Sequence, residues 1–214
     1  MNYSFRKKNK IVKYIVIHYT GMLTFGSAYQ KLNKSNSEVS AHYLISRKGL
    51  IVNFLCPRLK AWHAGKSQWK EDKDINETSI GIELENKGHE FGYQEFTNHQ
   101  YISLKKLINF LIKVYRIDHK NILFHSDISP NRKKDPGENF DLKKLGIYRF
   151  RYELKRKENI SLKKMLLIYG FSKNYVKNYF FECIIAVKRS IRYKTITPII
   201  NKRFKKDFYN LLIK

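Results

Sequence analysis

Residues 14–19 read YIVIHY, a run of β-branched and aromatic side chains that ends in polar residues. Such residues favour strands, and an uninterrupted apolar run is typical of a strand buried in the middle of a sheet. The polar Thr20 and Gly21 follow directly. The sequence therefore predicts a central strand that delivers His18 at its C-terminal end.

Three further segments predict strands around this one. HYLISRKGLIVNFL (42–55) predicts a hairpin with its turn at Arg47–Gly49. SIGIELEN (79–86) alternates apolar and polar residues, which is typical of a strand with two different faces. NILFHSD (121–127) predicts a short strand that ends in a loop and leaves His125 at the end of an apolar run.

Residues 96–117 carry apolar side chains at helical spacing, and Thr97 is a suitable N-cap for a helix there. Strands combined with a helix of this length predict an α/β domain over residues 1–146. We expect a central mixed β-sheet flanked by helices.

Residues 147–214 predict a second, helical domain. The segment 146–214 contains 18 Lys and Arg against 4 Asp and Glu, so it is more basic than the rest of the chain. Apolar residues at helical spacing predict a small three-helix bundle. The predicted helices begin at Ser161, at Ser172 and at Thr197-Pro198, where proline suits the first helical position.

The chain of 214 residues has a formal net charge of +25, which favours polyanionic partners: nucleic acid, anionic membranes or acidic cell-wall polymers. The alternative is a general compositional bias, since lysine, asparagine, isoleucine and tyrosine are all abundant. A hydrophobic fraction of 43 % is sufficient for a folded core. The sequence carries no signal for an oligomeric state.

Two cysteines, Cys56 and Cys183, lie far apart and give no sign of a disulfide framework. No apolar run approaches the ~18 residues of a transmembrane helix. The N-terminus is basic and then apolar, like a signal peptide, but Lys13 interrupts the apolar run and no small-residue cleavage site follows. We therefore expect a cytoplasmic location, with a secreted or cell-envelope location as the alternative.

Two strand ends and one loop suggest a metal site. Neighbouring strands would bring His18 and His125 to the same edge of the sheet, and Asp135 follows ten residues after His125. Two imidazoles and one carboxylate suit a catalytic zinc ion with one coordination position left open. In the alternative interpretation, Asp135 tightens a turn and the histidines are core residues.

Five segments in this order resemble the zinc-dependent N-acetylmuramoyl-L-alanine amidases of the type-2 amidase family. The family shares its fold with animal peptidoglycan recognition proteins. The resemblance covers roughly residues 12–146, and the helical tail is similar to the small peptidoglycan-binding module that such enzymes often carry. The segments are IVIHYT (15–20), VSAHYLI (39–45), WHAGKSQW (62–69), NETSIGIELENKG (76–88) and HSDISPNRKKDPG (125–137).

The resemblance implies that zinc is held by His18, His125 and Asp135. It also implies a catalytic glutamate at Glu83 and a catalytic lysine at Lys133. Spacing alone does not choose between Glu83 and Glu85, which share a strand face, and Lys134 directly follows Lys133.

Further residues are candidates for substrate binding, because aromatic, imidazole, amide and guanidinium side chains suit contacts with a sugar and a peptide. Some relatives have a tyrosine immediately before the histidine of the second segment, where this chain has Ala41, so a tyrosine-dependent mechanism is not expected. Core or loop roles are the alternative for the candidate substrate-binding residues. These are His42, Trp62, His63, Asn86 and Arg132.

The predicted function is zinc-dependent hydrolysis of the amide bond between N-acetylmuramic acid, in its 1,6-anhydro form or not, and the L-alanine of peptidoglycan or muropeptides. The alternatives are a peptidoglycan-binding protein without activity on the same fold, and a basic nucleic-acid-binding protein. None of the family's catalytic positions is missing, which argues against the inactive binding protein. We find no known nucleic-acid-binding motif, so nucleic acid is not the expected partner.

Overall fold

The structure is a computed structural model that describes residues 2–147 and 160–213. No helix in these ranges combines the length and apolar character needed to cross a membrane. The strands are β1 (Tyr3–Phe5), β2 (Tyr14–Tyr19), β3 (Tyr43–Ile45), β4 (Ile51–Asn53), β5 (Leu59–Ala61), β6 (Gln68–Trp69), β7 (Asp72–Lys73), β8 (Ser79–Leu84) and β9 (Ile122–Phe124). The helices are α1 (Phe25–Asn33), α2 (Asn98–Tyr115), α3 (His125–Ile128), α4 (Leu162–Tyr169), α5 (Lys173–Asn178), α6 (Phe180–Ser190) and α7 (Lys202–Leu212).

The main sheet has the strand order β4-β3-β8-β2-β9, with β2 between two parallel neighbours. β3 is parallel to β8, and β4 is antiparallel to β3. This confirms the mixed central sheet, the hairpin over residues 42–55 and the strand over residues 14–19. The prediction for residues 121–127 was wrong in one detail, because the strand ends at Phe124 and His125 begins the short helix α3.

The side chains of β2 point alternately into two cores. Ile15 and Ile17 pack in the core that α2 covers, whereas Tyr14 and Val16 pack in the core that the C-terminal helices cover. Because successive strand residues point to opposite faces, His18 belongs to the same face as Tyr14 and Val16. The alternation therefore places His18 on the side of the sheet that faces the C-terminal helices.

The predicted long helix is confirmed as α2, with Thr97 as its N-cap. The Thr97 hydroxyl accepts a hydrogen bond from the Gln100 backbone N–H, and the Gln100 side chain accepts one from the Thr97 backbone N–H. This reciprocal capping satisfies two N–H groups that a helix start would otherwise leave unpaired. The apolar stripe of α2 then covers the sheet.

The C-terminal helices follow the predicted apolar pattern, with two differences in their bounds. α4 begins after Ser161 and is closed by Gly170 as its C-cap, as predicted. The helix predicted from Ser172 is divided at Tyr179, whose φ of −139° and ψ of 46° are not helical. α5 and α6 are therefore separate, although both bury their apolar residues in one core.

The prediction that the last helix begins at Thr197-Pro198 was wrong. α7 begins at Lys202, with Asn201 as its N-cap. The Lys188 ammonium donates hydrogen bonds to the carbonyl oxygens of Thr197 and Ile199, at 2.8 and 2.6 Å. These contacts hold the segment before α7 against α6 in a non-helical conformation.

The C-terminal helices pack directly on the sheet domain. The Trp69 ring contacts Tyr169 and Phe171 edge-on, and the Lys70 backbone N–H donates to the Gly170 carbonyl oxygen at 2.7 Å. One continuous apolar cluster joins the two parts. The predicted domain boundary at residues 146–147 lies just before residues 148–159, which are outside the described residues, and it stays a prediction.

Candidate active site

The strand β8 supplies the site from one of its two faces. Ile80, Ile82 and Leu84 are fully buried in the core under α2. The intervening residues Ser79 and Glu83 therefore lie on the opposite face, together with Gly81. In the parallel register with β2, Glu83 is the partner of His18. The two candidate residues are thus adjacent on one face of the sheet.

Three polar atoms from distant parts of the sequence meet beside Glu83. The His18 Nδ1 lies 2.9 Å from the His125 Nδ1 and 3.0 Å from the Asp135 Oδ2. The His125 Nδ1 lies 2.9 Å from the same carboxylate oxygen. The atoms form a nearly equilateral triangle, and all three residues are buried.

This triangle fits a small divalent cation. Ligand atoms about 2.0–2.1 Å from a tetrahedral zinc ion lie ~3.3 Å apart, close to the observed separations. The His125 Nε2 is 3.3 Å from the Ala64 carbonyl oxygen, which can only accept a hydrogen bond. In the neutral form that binds a metal, the His125 ring would therefore carry its proton on Nε2 and direct the lone pair of its Nδ1 into the triangle.

The electrostatics of the cluster keep His18 and Asp135 in the forms that a metal requires. Burial lowers the pKa of the His18 imidazole to about 4, and the nearby His125 adds to this effect. Burial alone would raise the pKa of Asp135, but the charge and hydrogen bond of His125 and the contact with His18 outweigh it, so the pKa of Asp135 lies far below its usual range. A neutral imidazole and an ionised carboxylate are the ligand forms that bind zinc.

Glu83 lies beside the triangle and lines the same cavity. Its Oε2 atom is buried and has no hydrogen-bond partner among the described residues. Burial and the nearby Asp135 carboxylate raise the pKa of Glu83 well above its usual range, although the Lys133 ammonium acts in the opposite direction. A carboxyl group with a raised pKa is suited to accept and return a proton near neutral pH.

A cavity of about 390 Å³ opens over these residues. Lys133 and Lys134 both line it, as do Arg132 and Trp62. The Trp62 side chain is 37 % exposed, and its indole N–H donates to the Ser4 hydroxyl at 3.2 Å. The Arg132 guanidinium donates to the Lys66 carbonyl oxygen at 2.8 Å, which ties the loop after Trp62 to the loop that precedes Asp135.

His63 also borders the cavity, but its ring nitrogens are engaged inside the protein. The His63 Nδ1 lies 2.9 Å from the His18 Nε2, and the His63 Nε2 lies 3.1 Å from the Ser79 hydroxyl. Burial lowers the pKa of His63 well below its usual value, and the neighbouring His18 adds to this effect. Its predicted contact with substrate stays a prediction.

Two of the candidate binding residues do not reach the cavity. His42 is fully buried, its Nδ1 accepts from the Gly81 N–H at 3.0 Å, and its Nε2 lies 3.1 Å from the Leu59 carbonyl oxygen. Asn86 is buried, and its amide bonds to the backbone of Gln94 and Gly88. Both side chains have structural partners, so the structure gives neither of them a free atom for a substrate.

Glu85 and Asp127 also have structural partners. A Glu85 carboxylate oxygen accepts from the Arg47 backbone N–H at 2.7 Å, so of the two glutamates on this strand face, Glu83 is the one in the cavity. The Asp127 carboxylate accepts from the Phe124 N–H at 2.7 Å and from the Tyr169 hydroxyl at 3.1 Å. Asp127 thereby links the start of α3 to the C-terminal helices.

Sequence reasoning missed other residues of the cavity wall. Lys31 on α1 and His89 both line the cavity. The His89 Nδ1 lies 2.8 Å from the Tyr19 hydroxyl, and its Nε2 lies 3.2 Å from a Glu138 carboxylate oxygen. Their sequence surroundings carry no chemical motif, so only the fold places them here.

Comparison with known proteins points to one family. The family described as N-acetylmuramoyl-L-alanine amidase matches residues 7–138. The 1,6-anhydro-N-acetylmuramyl-L-alanine amidase AmpD of Haemophilus influenzae is 45 % identical over 104 residues, which are 48 % of this chain and 54 % of AmpD. The N-acetylmuramoyl-L-alanine amidase AmiD of Escherichia coli is 36 % identical over 146 residues, which are 63 % of this chain and 52 % of AmiD. The chain therefore spans about half the length of these curated relatives.

Solved structures match nearly the whole chain. AmiD of E. coli, in complex with anhydro-N-acetylmuramic acid-L-Ala-D-γ-Glu-L-Lys, superimposes with a TM-score of 0.78 and 27 % identity, covering 96 % of this chain and 91 % of the AmiD chain. AmpDh3 of Pseudomonas aeruginosa superimposes with a TM-score of 0.80 and 27 % identity, covering 97 % of this chain and 95 % of the AmpDh3 chain. The whole arrangement, including the C-terminal helices, is thus similar to these two structures.

Proposed function

The chain belongs to the N-acetylmuramoyl-L-alanine amidase family, and we propose that it hydrolyses the amide bond between N-acetylmuramic acid and the L-alanine of peptidoglycan or muropeptides, including 1,6-anhydro forms. The observation that carries this proposal is the meeting of His18, His125 and Asp135 beside Glu83, whose buried Oε2 atom has no hydrogen-bond partner among the described residues. The substrate class is supported by AmiD and AmpDh3, whose structures include complexes with anhydromuramic peptides.

We assign a zinc ion to His18, His125 and Asp135. The donor set and the spacing of 2.9 to 3.0 Å between its atoms support this choice. When bound, zinc would lower the pKa of a water molecule and polarise the carbonyl group of the substrate.

Glu83 is assigned the proton transfers. Its free carboxylate oxygen in the cavity would take a proton from the attacking water and later give it to the nitrogen of L-alanine. One water is consumed, the C–N bond breaks, and the products are the lactyl carboxylate and the free amine of the stem peptide.

Lys133 is assigned the stabilisation of charge. Negative charge develops on the carbonyl oxygen of the substrate during attack, and a fixed cation nearby lowers the energy of that state. Lys133 lines the cavity and is half-buried, whereas the adjacent Lys134 is exposed.

Residues 147–214 are proposed as a helical peptidoglycan-binding-like domain. The match to the AmiD structure over 96 % of the chain supports a two-part architecture, whereas the sequence match to AmpD covers only 48 % of the chain. Trp62 and Arg132, at the cavity rim, are proposed to contact the muropeptide. The basic character of the tail suits a carboxylate-bearing polymer.

The proposal is tested with purified protein, 1,6-anhydro-muropeptides and intact peptidoglycan fragments, with product masses measured after incubation. We expect release of the free stem peptide, loss of release after chelation, and recovery when zinc is returned. Binding of muropeptide without release of the peptide under any of these conditions would contradict the proposed hydrolysis.

A further inference from the structure

A chain of hydrogen bonds behind His18 has no role in the proposed reaction. It runs from the His18 Nε2 to the His63 Nδ1 at 2.9 Å, and from the His63 Nε2 to the Ser79 hydroxyl at 3.1 Å. It ends where the Ser79 hydroxyl donates to the Ile75 carbonyl oxygen at 2.6 Å. All three side chains are buried.

The hydrogen bond from Ser79 to Ile75 determines which atoms donate and which accept in the other two hydrogen bonds. A carbonyl oxygen only accepts, and a serine hydroxyl has one proton to donate. Because Ser79 gives its proton to Ile75, its oxygen must accept from the His63 Nε2. The proton on His63 Nε2 leaves Nδ1 as the acceptor of a neutral ring.

One proton lies between the facing nitrogens of His63 and His18. If it were on His63, that ring would be a buried cation, and no carboxylate is among its hydrogen-bond partners in the described residues. An unpaired buried charge is strongly unfavourable. The proton therefore belongs to the His18 Nε2, and His18 donates to His63.

We infer that His63 and Ser79 are positioning residues that fix the tautomer and the ring orientation of His18, so that its Nδ1 lone pair points at the triangle with His125 and Asp135. This inference rests on the proposed zinc site. A partner on the second nitrogen of a metal-binding histidine typically changes metal affinity by about 10–100-fold.

The neighbouring residues leave space for the His63 ring and hold its backbone. A β-carbon at residue 81 would overlap the His63 ring, so the absence of a side chain at Gly81 provides the space. The Asn76 Oδ1 accepts from the backbone N–H groups of His63 and Ala64, at 3.0 and 2.8 Å. The backbone of His63 is thus held in place, and the space beside Gly81 accommodates its ring.

The first test compares two substitutions of His63 in the full chain, with zinc affinity measured by competition with a chromophoric chelator. His63→Leu removes the acceptor, and we expect zinc to bind about 10–100-fold more weakly. His63→Asn keeps an oxygen near the position of the imidazole Nδ1, so its affinity should stay closer to that of the wild type. Equal affinities for all three proteins would overturn the inference.

The second test changes Ser79, at the far end of the series of hydrogen bonds. Ser79→Ala should weaken zinc binding in the same direction but by a smaller factor, because His63 then loses only the partner that orients it. Ser103→Ala is the matched control, since the Ser103 hydroxyl also donates to a backbone carbonyl, that of Gly49, at 2.6 Å. An equal effect of both substitutions would indicate general destabilisation and contradict the role of Ser79.

The third test needs no substitution. Long-range ¹H–¹⁵N NMR of the zinc-loaded wild-type protein distinguishes the two ring nitrogens, and we expect the protons of both His18 and His63 on Nε2. A proton on the His63 Nδ1 would overturn the inference even if the variants bind zinc weakly. If the wild type binds no zinc at all, the zinc site itself fails, which is a different outcome from normal binding that is insensitive to residues 63 and 79.

Discussion

The cavity end of the sheet and the C-terminal helices pack on the same apolar core, but one buried charged residue from each, Glu83 and Lys188, differs in its hydrogen-bond partners. In the cavity, Glu83 Oε2 has no partner among the described residues, and the lone pairs of His18 and His125 converge near one point. In the helices, the buried Lys188 ammonium donates to two carbonyl oxygens and lies 5.2 and 5.0 Å from the ring centres of Tyr193 and Phe204.

This difference separates two uses of buried polarity. A buried polar group without a hydrogen-bond partner destabilises the fold, so its presence points to a functional role. Groups with complete partners fix the path of the chain. Substitutions in the cavity should therefore change turnover more than stability, and substitutions in the helices should do the reverse.

The largest expected effect is at Glu83. Glu83→Gln removes the proton acceptor while keeping the shape of the side chain, so turnover of a muropeptide should fall by about 10²–10⁴-fold. Zinc content, measured by atomic absorption, should be unchanged. Glu85→Gln is the control, because Glu85 bonds to the Arg47 backbone away from the cavity and should leave turnover intact. Loss of zinc from Glu83→Gln would mean that this residue holds the metal or the fold instead.

The two neighbouring lysines give the next comparison. Lys133→Ala should lower turnover by about 10²–10³-fold, since one fixed donor to the developing charge is lost. Lys134→Ala should have a much smaller effect, because the Lys134 side chain is more exposed. Steady-state kinetics of both variants on one muropeptide measure the difference, and a larger loss for Lys134→Ala would reverse the assignment.

A substitution at Gly170 tests how the C-terminal helices pack on the sheet domain. Gly170 has a φ of +131°, and a β-carbon there would overlap the Trp69 ring. Gly170→Ala should therefore lower the free energy of unfolding by about 2–4 kcal/mol, measured by urea denaturation. Gly92→Ala is the control, with a φ of +92° but open space around the site, and should cost about 1 kcal/mol. Equal losses would show that backbone strain, not the contact between the two parts, dominates.

The smallest expected effect is at Lys188. Lys188→Met keeps the apolar stem but leaves the carbonyl oxygens of Thr197 and Ile199 without their donor, which should lower the free energy of unfolding by about 1–3 kcal/mol. Lys177→Met, at an exposed position of α5, should change it by less than about 0.5 kcal/mol. An equal change in the free energy of unfolding for both variants would contradict the structural role of Lys188.

Local patterns predicted most of the elements because they depend on nearby residues. The apolar run at residues 14–19, the alternation at residues 79–84 and the Thr97 cap are properties of short segments, and each appears in the structure. The start of α7 was missed for the opposite reason. Lys188 lies nine residues before Thr197, and no local rule indicates that its ammonium would hold that carbonyl.

The features of the candidate site also divide into those predicted from local sequence and those set by the tertiary structure. By itself the sequence determined the candidates: through the family resemblance, the ordered segments predicted His18, His125 and Asp135 as metal ligands and Glu83 and Lys133 as catalytic residues. The absence of His42 from the cavity wall and the contact between His63 and His18 were decided only by the tertiary structure. These depend on strand register and on contacts between residues that are far apart in sequence, which are set when the whole sheet and its covering helices pack together.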